Sequence, residues 1–95
     1  MYALFTEVNA KDSDAEAARE ILPQEVVPAA RDNGAKAGYW LAPQNGRGVA
    51  VVLFDTEAEA RAAATMFHVG EPPMPGAPEG ITVKTVEVRE VIAAV

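Results

Sequence analysis

The segment Val49–Phe54, with the sequence VAVVLF, is apolar at every position and constrains the fold more than any other stretch of the chain. Successive side chains of a strand point to opposite faces of its sheet, so this strand would be apolar on both faces. A sheet with one water-facing side normally alternates apolar and polar residues. Both faces of the predicted sheet therefore need a cover.

Four strands are predicted from alternating hydrophobicity and from the turn residues between them. They span residues 2–8, 35–42, 49–54 and 81–91. Asn45-Gly46, between the second and third strands, is the strongest short signal for a hairpin. In the last strand the alternation slips, which predicts a β-bulge near Lys84-Thr85.

The first helix is predicted to open at Ser13, where Ser13 and Glu16 have the spacing of a capping box. Pro23 and Pro28 each remove an intrahelical hydrogen bond. A kinked or two-piece helix is therefore expected, ending near Gly34 as a left-handed stop.

The second helix is predicted to open at Thr56, with Glu59 three residues later, and to run to about Val69 with Gly70 as its stop. Its small apolar residues are mostly alanine. Either it packs close to the sheet, or it leaves a gap that a ligand fills. The Pro- and Gly-rich stretch 70–80 is predicted to be a surface loop, either a stiff connection or a lid over such a gap.

The order β-α-β-β-α-β predicts a single α+β domain over residues 1–95, with the ferredoxin-like arrangement of a four-stranded antiparallel sheet and two helices on one face. The other face would expose a larger apolar patch than monomers usually show. A two-fold homodimer that buries this face is expected. The tail 91–95 is apolar and favours burial, which suggests that it packs around the neighbouring subunit.

Charge and residue usage exclude several classes of function. With 14 acidic and 8 scattered basic residues, the net charge of −6 argues against nucleic-acid binding. One histidine and no cysteine leave only carboxylates as further metal ligands, so neither a metal nor a cofactor is expected. No signal peptide and no apolar run of about 20 residues is seen, and a cytoplasmic protein without membrane contact is expected.

The segment EVVPAARDNGAKAGYWLAPQNGRGVAVVLFDTEAEARAAA has a proline late in the first helix, followed by a hairpin and the start of the second helix. With the element order, which extends over essentially the whole chain, it resembles the dimeric α+β barrel superfamily, especially small proteins related to antibiotic-biosynthesis monooxygenases. This resemblance implies an eight-stranded barrel of two sheets packed face to face, with a small cavity between sheet and helices.

The resemblance implies that the homodimer binds a small aromatic or apolar ligand. The alternative is a cofactor-independent monooxygenase that acts on a polyphenol or quinone-type substrate. A third possibility is an interaction module whose barrel serves only to dimerise and present acidic helices. The resemblance to haem-degrading relatives is poorer, because His68 follows the position at which their helical histidine would fall.

Three residues are candidate catalytic helpers in the oxygenase interpretation. Asn9 ends the first strand and could donate to a carbonyl oxygen, or it is a turn residue. Trp40 could stack on an aromatic ligand, or it anchors a core or an interface. His68, the only histidine, is the candidate general base, or simply a residue at the end of the second helix. The candidate ligand-binding residues are Phe5, Tyr39, Phe54, Met66 and Phe67.

Overall fold

A computed structural model describes all 95 residues and has a four-stranded antiparallel sheet with two helices. The strands are β1 (Tyr2–Asn9), β2 (Ala37–Trp40), β3 (Arg47–Phe54) and β4 (Thr82–Glu90), in the spatial order β2-β3-β1-β4. This order, with helices after β1 and β3, is compatible with the predicted ferredoxin-like arrangement.

The prediction that successive side chains of β3 point to opposite faces of the sheet is confirmed. Ala50, Val52 and Phe54 are buried beneath the helices, whereas Val49 and Val51 on the other face are half-buried. We call these two sides of the sheet the helix face and the open face. β1 lies between β3 and β4, and β1 and β3 are the two central strands of the sheet.

The predicted hairpin is confirmed at Asn45-Gly46. Asn45 and Gly46 have φ values of 55° and 82°, and Gln44 and Arg47 exchange backbone hydrogen bonds of 2.9 and 3.2 Å across them. Positive φ at both central residues matches the right-handed twist of the flanking strands.

β2 is shorter than the predicted span 35–42. Trp40 pairs with Ala50, whereas Gln44 pairs with Arg47, so the three residues 41–43 face only the two residues 48–49. The extra residue is a bulge, and it includes Pro43, which has no N–H to donate to the ladder. Regular pairing of β2 therefore ends at Trp40.

The predicted bulge in β4 is confirmed. β1 residues Glu7 and Val8 pair with Thr85 and Val83, so Lys84 between them has no partner. The extra residue restores the alternation, and the valines that follow return to the helix face.

The first helical run contains a 3₁₀ turn, two α-helical segments and a π turn. The 3₁₀ turn is Asp12–Asp14, α1 is Ala15–Ile21, the π turn is Leu22–Val26 and α2 is Val27–Asp32. Within the π turn the Val27 N–H bonds the Leu22 carbonyl five residues earlier. The interruption expected at Pro23 and Pro28 is confirmed, and it takes the form of a π turn rather than a break.

The predicted start of this helix is wrong. Ser13 lies inside the 3₁₀ turn, so it cannot cap the helix from outside. Asp14 instead accepts the Lys11 N–H at 2.8 Å. The predicted end is confirmed: Gly34 has a φ of 96°, and its N–H bonds the Arg31 carbonyl at 3.0 Å.

The second helix, α3, spans Glu57–Ala64, and its predicted cap is confirmed because the Thr56 hydroxyl accepts the Glu59 N–H at 3.2 Å. The predicted end at Val69 is wrong. The Thr65 hydroxyl donates to the Ala62 carbonyl at 2.6 Å, where the helix closes.

Gly70 is therefore not a helix stop. It has a φ of 90°, and its N–H bonds the Val83 carbonyl at 2.8 Å, tying the loop to β4.

The core is small and lies where α3 meets the sheet. Ala60 is 0% exposed and, together with Ala63, packs on Leu4, Val52 and Phe54. The alanines let α3 approach the sheet closely. None of the helices combines the length and the apolar character that a bilayer-spanning segment requires.

Candidate functional site

A cavity of about 460 Å³ separates the first helical run from the sheet. Its floor is the helix face of β1 and β3, including Thr6 and Ala50, and its roof is formed by α1, the π turn and α2, including Ile21, Leu22 and Val26. Protein interiors usually leave no void much larger than a water molecule. The volume is within the range of small-molecule sites.

Small side chains on both sides leave this space open. Gly48 and Ala50 lie on the floor, and Ala18 and Ala30 face them from the helices. The alanine-rich α3 packs directly on the sheet, and Ala63 is its one residue at the edge of the cavity. Of the two arrangements considered for α3, the close packing is therefore the one observed, and the cavity lies under the other helix.

Trp40 forms one side of the cavity and depends on Gly38 for its position. The two residues lie on the same face of β2, and a Cβ on Gly38 would approach Trp40 Cη2 to 2.8 Å. The indole ring therefore extends along the strand in the space that a side chain at Gly38 would fill.

The lining is apolar with few polar groups. Of 29 lining residues, 21 are hydrophobic, and no Lys, Arg or His is among them. The only ionisable side chains are the carboxylates of Asp14 and Glu25. Thr6 contributes a hydroxyl and Trp40 an indole N–H, and neither makes a hydrogen bond within the protein.

The loop 70–80 contributes to the cavity through its prolines and through Met74. It is anchored to β4 at one end, where Val83 donates its N–H to the Glu71 carbonyl at 2.8 Å. The loop therefore lines part of the cavity, and the lid and the stiff connection both stay predictions.

Six of the eight predicted site residues fall into two groups. Trp40, Phe54, Met66 and Phe67 line the cavity. Phe5 and Tyr39 lie on the open face, where both are paired with Val51 in neighbouring strands. The cavity therefore brings together four of the eight residues.

Asn9 and His68 do not line the cavity. Asn9 lies at the end of β1, and its side-chain amide donates to the Thr82 hydroxyl at 3.2 Å. His68 is exposed and follows the last residue of α3, Ala64, by four positions. Its predicted position at the helix end is wrong because α3 closes early. The catalytic roles of Asn9, Trp40 and His68 stay predictions.

Thr6, Ala50 and Gly38 were not among the residues expected at a site. Alternation along β1 places Thr6 on the same face as Leu4 and Val8, and alternation along β3 places Ala50 beside Val52. The signal for these three residues is a small or polar side chain at a position where the neighbours on the same face have large apolar side chains.

The open face is apolar on one half and polar on the other. Tyr39 is 63% exposed and pairs with the half-buried Val51, and Val49 and Leu53 lie on the same side of β3. β4 instead presents Thr85, Glu87 and Arg89 to this face.

Glu7 lies between these halves and is only 7% exposed. Its Oε2 accepts a hydrogen bond of 2.6 Å from Arg47, and its Oε1 accepts one of 3.1 Å from the Thr85 hydroxyl. These hydrogen bonds, the one from Arg47 first, hold the pKa of Glu7 below the ordinary value of 4.5.

No group of three or more His, Asp or Glu side chains is placed to hold a metal ion. No protein-family model, curated protein or solved structure matches the chain.

Proposed function

We propose that this protein binds a small apolar ligand in the cavity between its first helical run and the sheet. The observation that carries the proposal is a space of about 460 Å³ with 21 hydrophobic lining residues out of 29. An apolar cavity of about 150 Å³ is enough for benzene. A two-ring aromatic or a medium-length aliphatic molecule fits the larger space.

Water is a poor occupant of such a cavity. A buried water molecule needs two to four polar partners, and the lining offers few. A ligand that replaces water here removes apolar surface from solvent, which is favourable by about 25 cal/mol per Å². Trp40 adds a flat ring against which the ligand can pack.

Binding can be followed at Trp40, the only tryptophan in the chain, because its indole N–H gives a single resonance in nitrogen-15 NMR spectra. Titration with 2-methylnaphthalene is expected to shift this resonance to saturation. Ala50→Leu fills part of the floor and is expected to weaken binding at least about tenfold. Ala58→Leu makes the same change at an exposed position of α3 and serves as the control. Equal affinity in both variants, or no shift in the native protein, contradicts the proposal.

We also propose that a second copy of the chain covers the open face, giving the dimeric barrel expected from the resemblance. The support is the apolar half of that face, where Tyr39 is more than half exposed. Ile92 in the C-terminal tail is 91% exposed and adds apolar surface that a partner would bury. A two-fold axis would set the apolar half against its own copy.

The oxygenase reaction has less support than ligand binding. It requires Asn9, Trp40 and His68 to act at one site, and only Trp40 lines the cavity. We therefore propose ligand binding as the activity of this domain.

A further inference from the structure

A row of three residues crosses the cavity floor. Trp40 pairs with Ala50, and Ala50 pairs with Thr6 on the next strand. Neighbouring strands are about 4.8 Å apart, so Thr6 and Trp40 are separated by about 10 Å with one methyl group between them. A ligand that lies on Ala50 contacts the Trp40 ring and the Thr6 hydroxyl together.

Apart from the indole N–H of Trp40, the Thr6 hydroxyl is the only polar side-chain group in this row. Val86 lies beside Thr6 on β4, and Leu4 and Val8 flank it along β1. No protein group hydrogen-bonds the hydroxyl. A polar group in apolar surroundings is costly unless it has a partner, and a ligand that displaces water must supply one.

The two charged side chains that line the cavity are both acidic. Asp14 and Glu25 are its only ionisable lining residues, and the whole chain has a net charge of −6. A carboxylate ligand would lose its hydration without meeting a cation, which is unfavourable. An uncharged ligand has no such penalty.

The apolar lining is mainly aliphatic. Its aromatic rings are those of Trp40, Phe54 and Phe67, whereas alanine, valine, leucine, isoleucine and methionine supply the rest of the hydrophobic contacts. Much of the lining is therefore suited to an aliphatic body as well as to a flat ring.

We propose that the cavity selects uncharged, mainly aliphatic molecules with one hydroxyl group, and that Thr6 is the residue that selects them. This inference rests on the proposed ligand binding. The ligand hydroxyl bonds the Thr6 hydroxyl, and its alkyl part fills the space between Ala50 and the first helical run.

The test compares the affinities of the protein for 1-octanol, octanoate and 2-methylnaphthalene, measured at neutral pH by the shift of the Trp40 indole N–H resonance. The native protein is expected to bind 1-octanol at least about tenfold more tightly than octanoate. Thr6→Val keeps the shape of the side chain and removes its hydroxyl. It is expected to weaken the binding of 1-octanol about fivefold and not to weaken that of 2-methylnaphthalene, because that probe has no oxygen to bond the hydroxyl. Thr6→Ser keeps the hydroxyl and is expected to retain most of the affinity for 1-octanol.

Two results overturn the inference and leave ligand binding standing. One is octanoate binding as tightly as 1-octanol while 2-methylnaphthalene also binds. The other is a Thr6→Val variant whose affinities for 1-octanol and 2-methylnaphthalene change by the same factor. Failure of all three probes overturns the proposed function, and the inference falls with it.

Discussion

Trp40 lies against Gly38, two residues earlier on the same strand, so closely that a Cβ on Gly38 would come within 2.9 Å of both Cη2 and Cζ3. The same Cβ would lie 3.6 Å from a methyl group of Val52. A glycine at this position leaves room for the indole ring to lie along β2, where it forms one side of the cavity.

Gly38→Ala is expected to displace the Trp40 ring and to lower the free energy of unfolding by about 1–3 kcal/mol, as overpacking does. Chemical denaturation gives the free energy, and near-ultraviolet circular dichroism reports the ring. The control is a double-mutant cycle with Trp40→Ala. In the Trp40→Ala background the methyl group introduced at position 38 does not clash with an indole ring, so most of the loss in the free energy of unfolding is expected to disappear. A cost that is the same in both backgrounds would show that the ring is not what the methyl group displaces.

Glu7 is expected to make folding stability sensitive to acid. Its pKa is lowered in the folded state, mainly by the hydrogen bond from Arg47 and then by the one from Thr85. The folded state therefore favours the charged form. The resulting stability is present above the unfolded-state pKa, and it is lost as the pH falls through the lower folded-state pKa.

Glu7→Gln removes this titration. Between neutral pH and about pH 3, the free energy of unfolding is expected to fall less steeply in the variant than in the native protein. Glu87→Gln, which removes a carboxylate paired with Arg89 on the same face, is the control for the loss of one negative charge. Parallel curves for the native protein and Glu7→Gln would contradict the role given to Glu7.

Thr56 is expected to stabilise the start of α3. Its hydroxyl accepts the Glu59 N–H at 3.2 Å, and replacing such a cap with alanine typically costs about 1 kcal/mol. Thr56→Ala should therefore lower the free energy of unfolding by about that amount, measured by urea denaturation. Thr56→Ser retains the hydroxyl and should cost much less. If the two variants are equally destabilised, the hydroxyl is not the stabilising group.

The open face provides a test of the dimer. Sedimentation at micromolar concentration should give twice the 10.0 kDa mass of one chain. Val51→Glu places a charge in the apolar half of the open face and should give a folded monomer, because an unpaired charge is costly to bury. Ala62→Glu places the same charge at an exposed position of α3, and this variant should stay dimeric. A native protein that sediments as a folded monomer excludes the dimer.

Local residue patterns predict much of this fold because each acts over a few residues. Asn45-Gly46 supplies the positive φ values of its turn, Gly34 ends the first helical run, and Thr56 caps α3. The Lys84 bulge follows from a slip in alternation that only one extra residue can correct. The ends of elements are less predictable, because competing local bonds such as that from Thr65 to the Ala62 carbonyl decide them.

The cavity is harder to predict, because it depends on how far one helix lies from the sheet. Pro23 and Pro28 predict an interruption but not its form, and the form observed is a π turn. Trp40 and Phe54 were expected at the site as aromatic residues, and they line the cavity. Thr6 is not predicted as a site residue, since its importance depends on the apolar residues around it, which come from two strands.

The location of a heavy-atom ligand tests the central claim most directly. A crystal of the protein soaked with 2-bromonaphthalene would show the bromine by its anomalous scattering. The account predicts one ordered molecule under the first helical run, with atoms within about 4 Å of Trp40 and Ala50. Bromine density confined to the open face beside Tyr39 and Val51, or an empty cavity at saturating ligand, would contradict it.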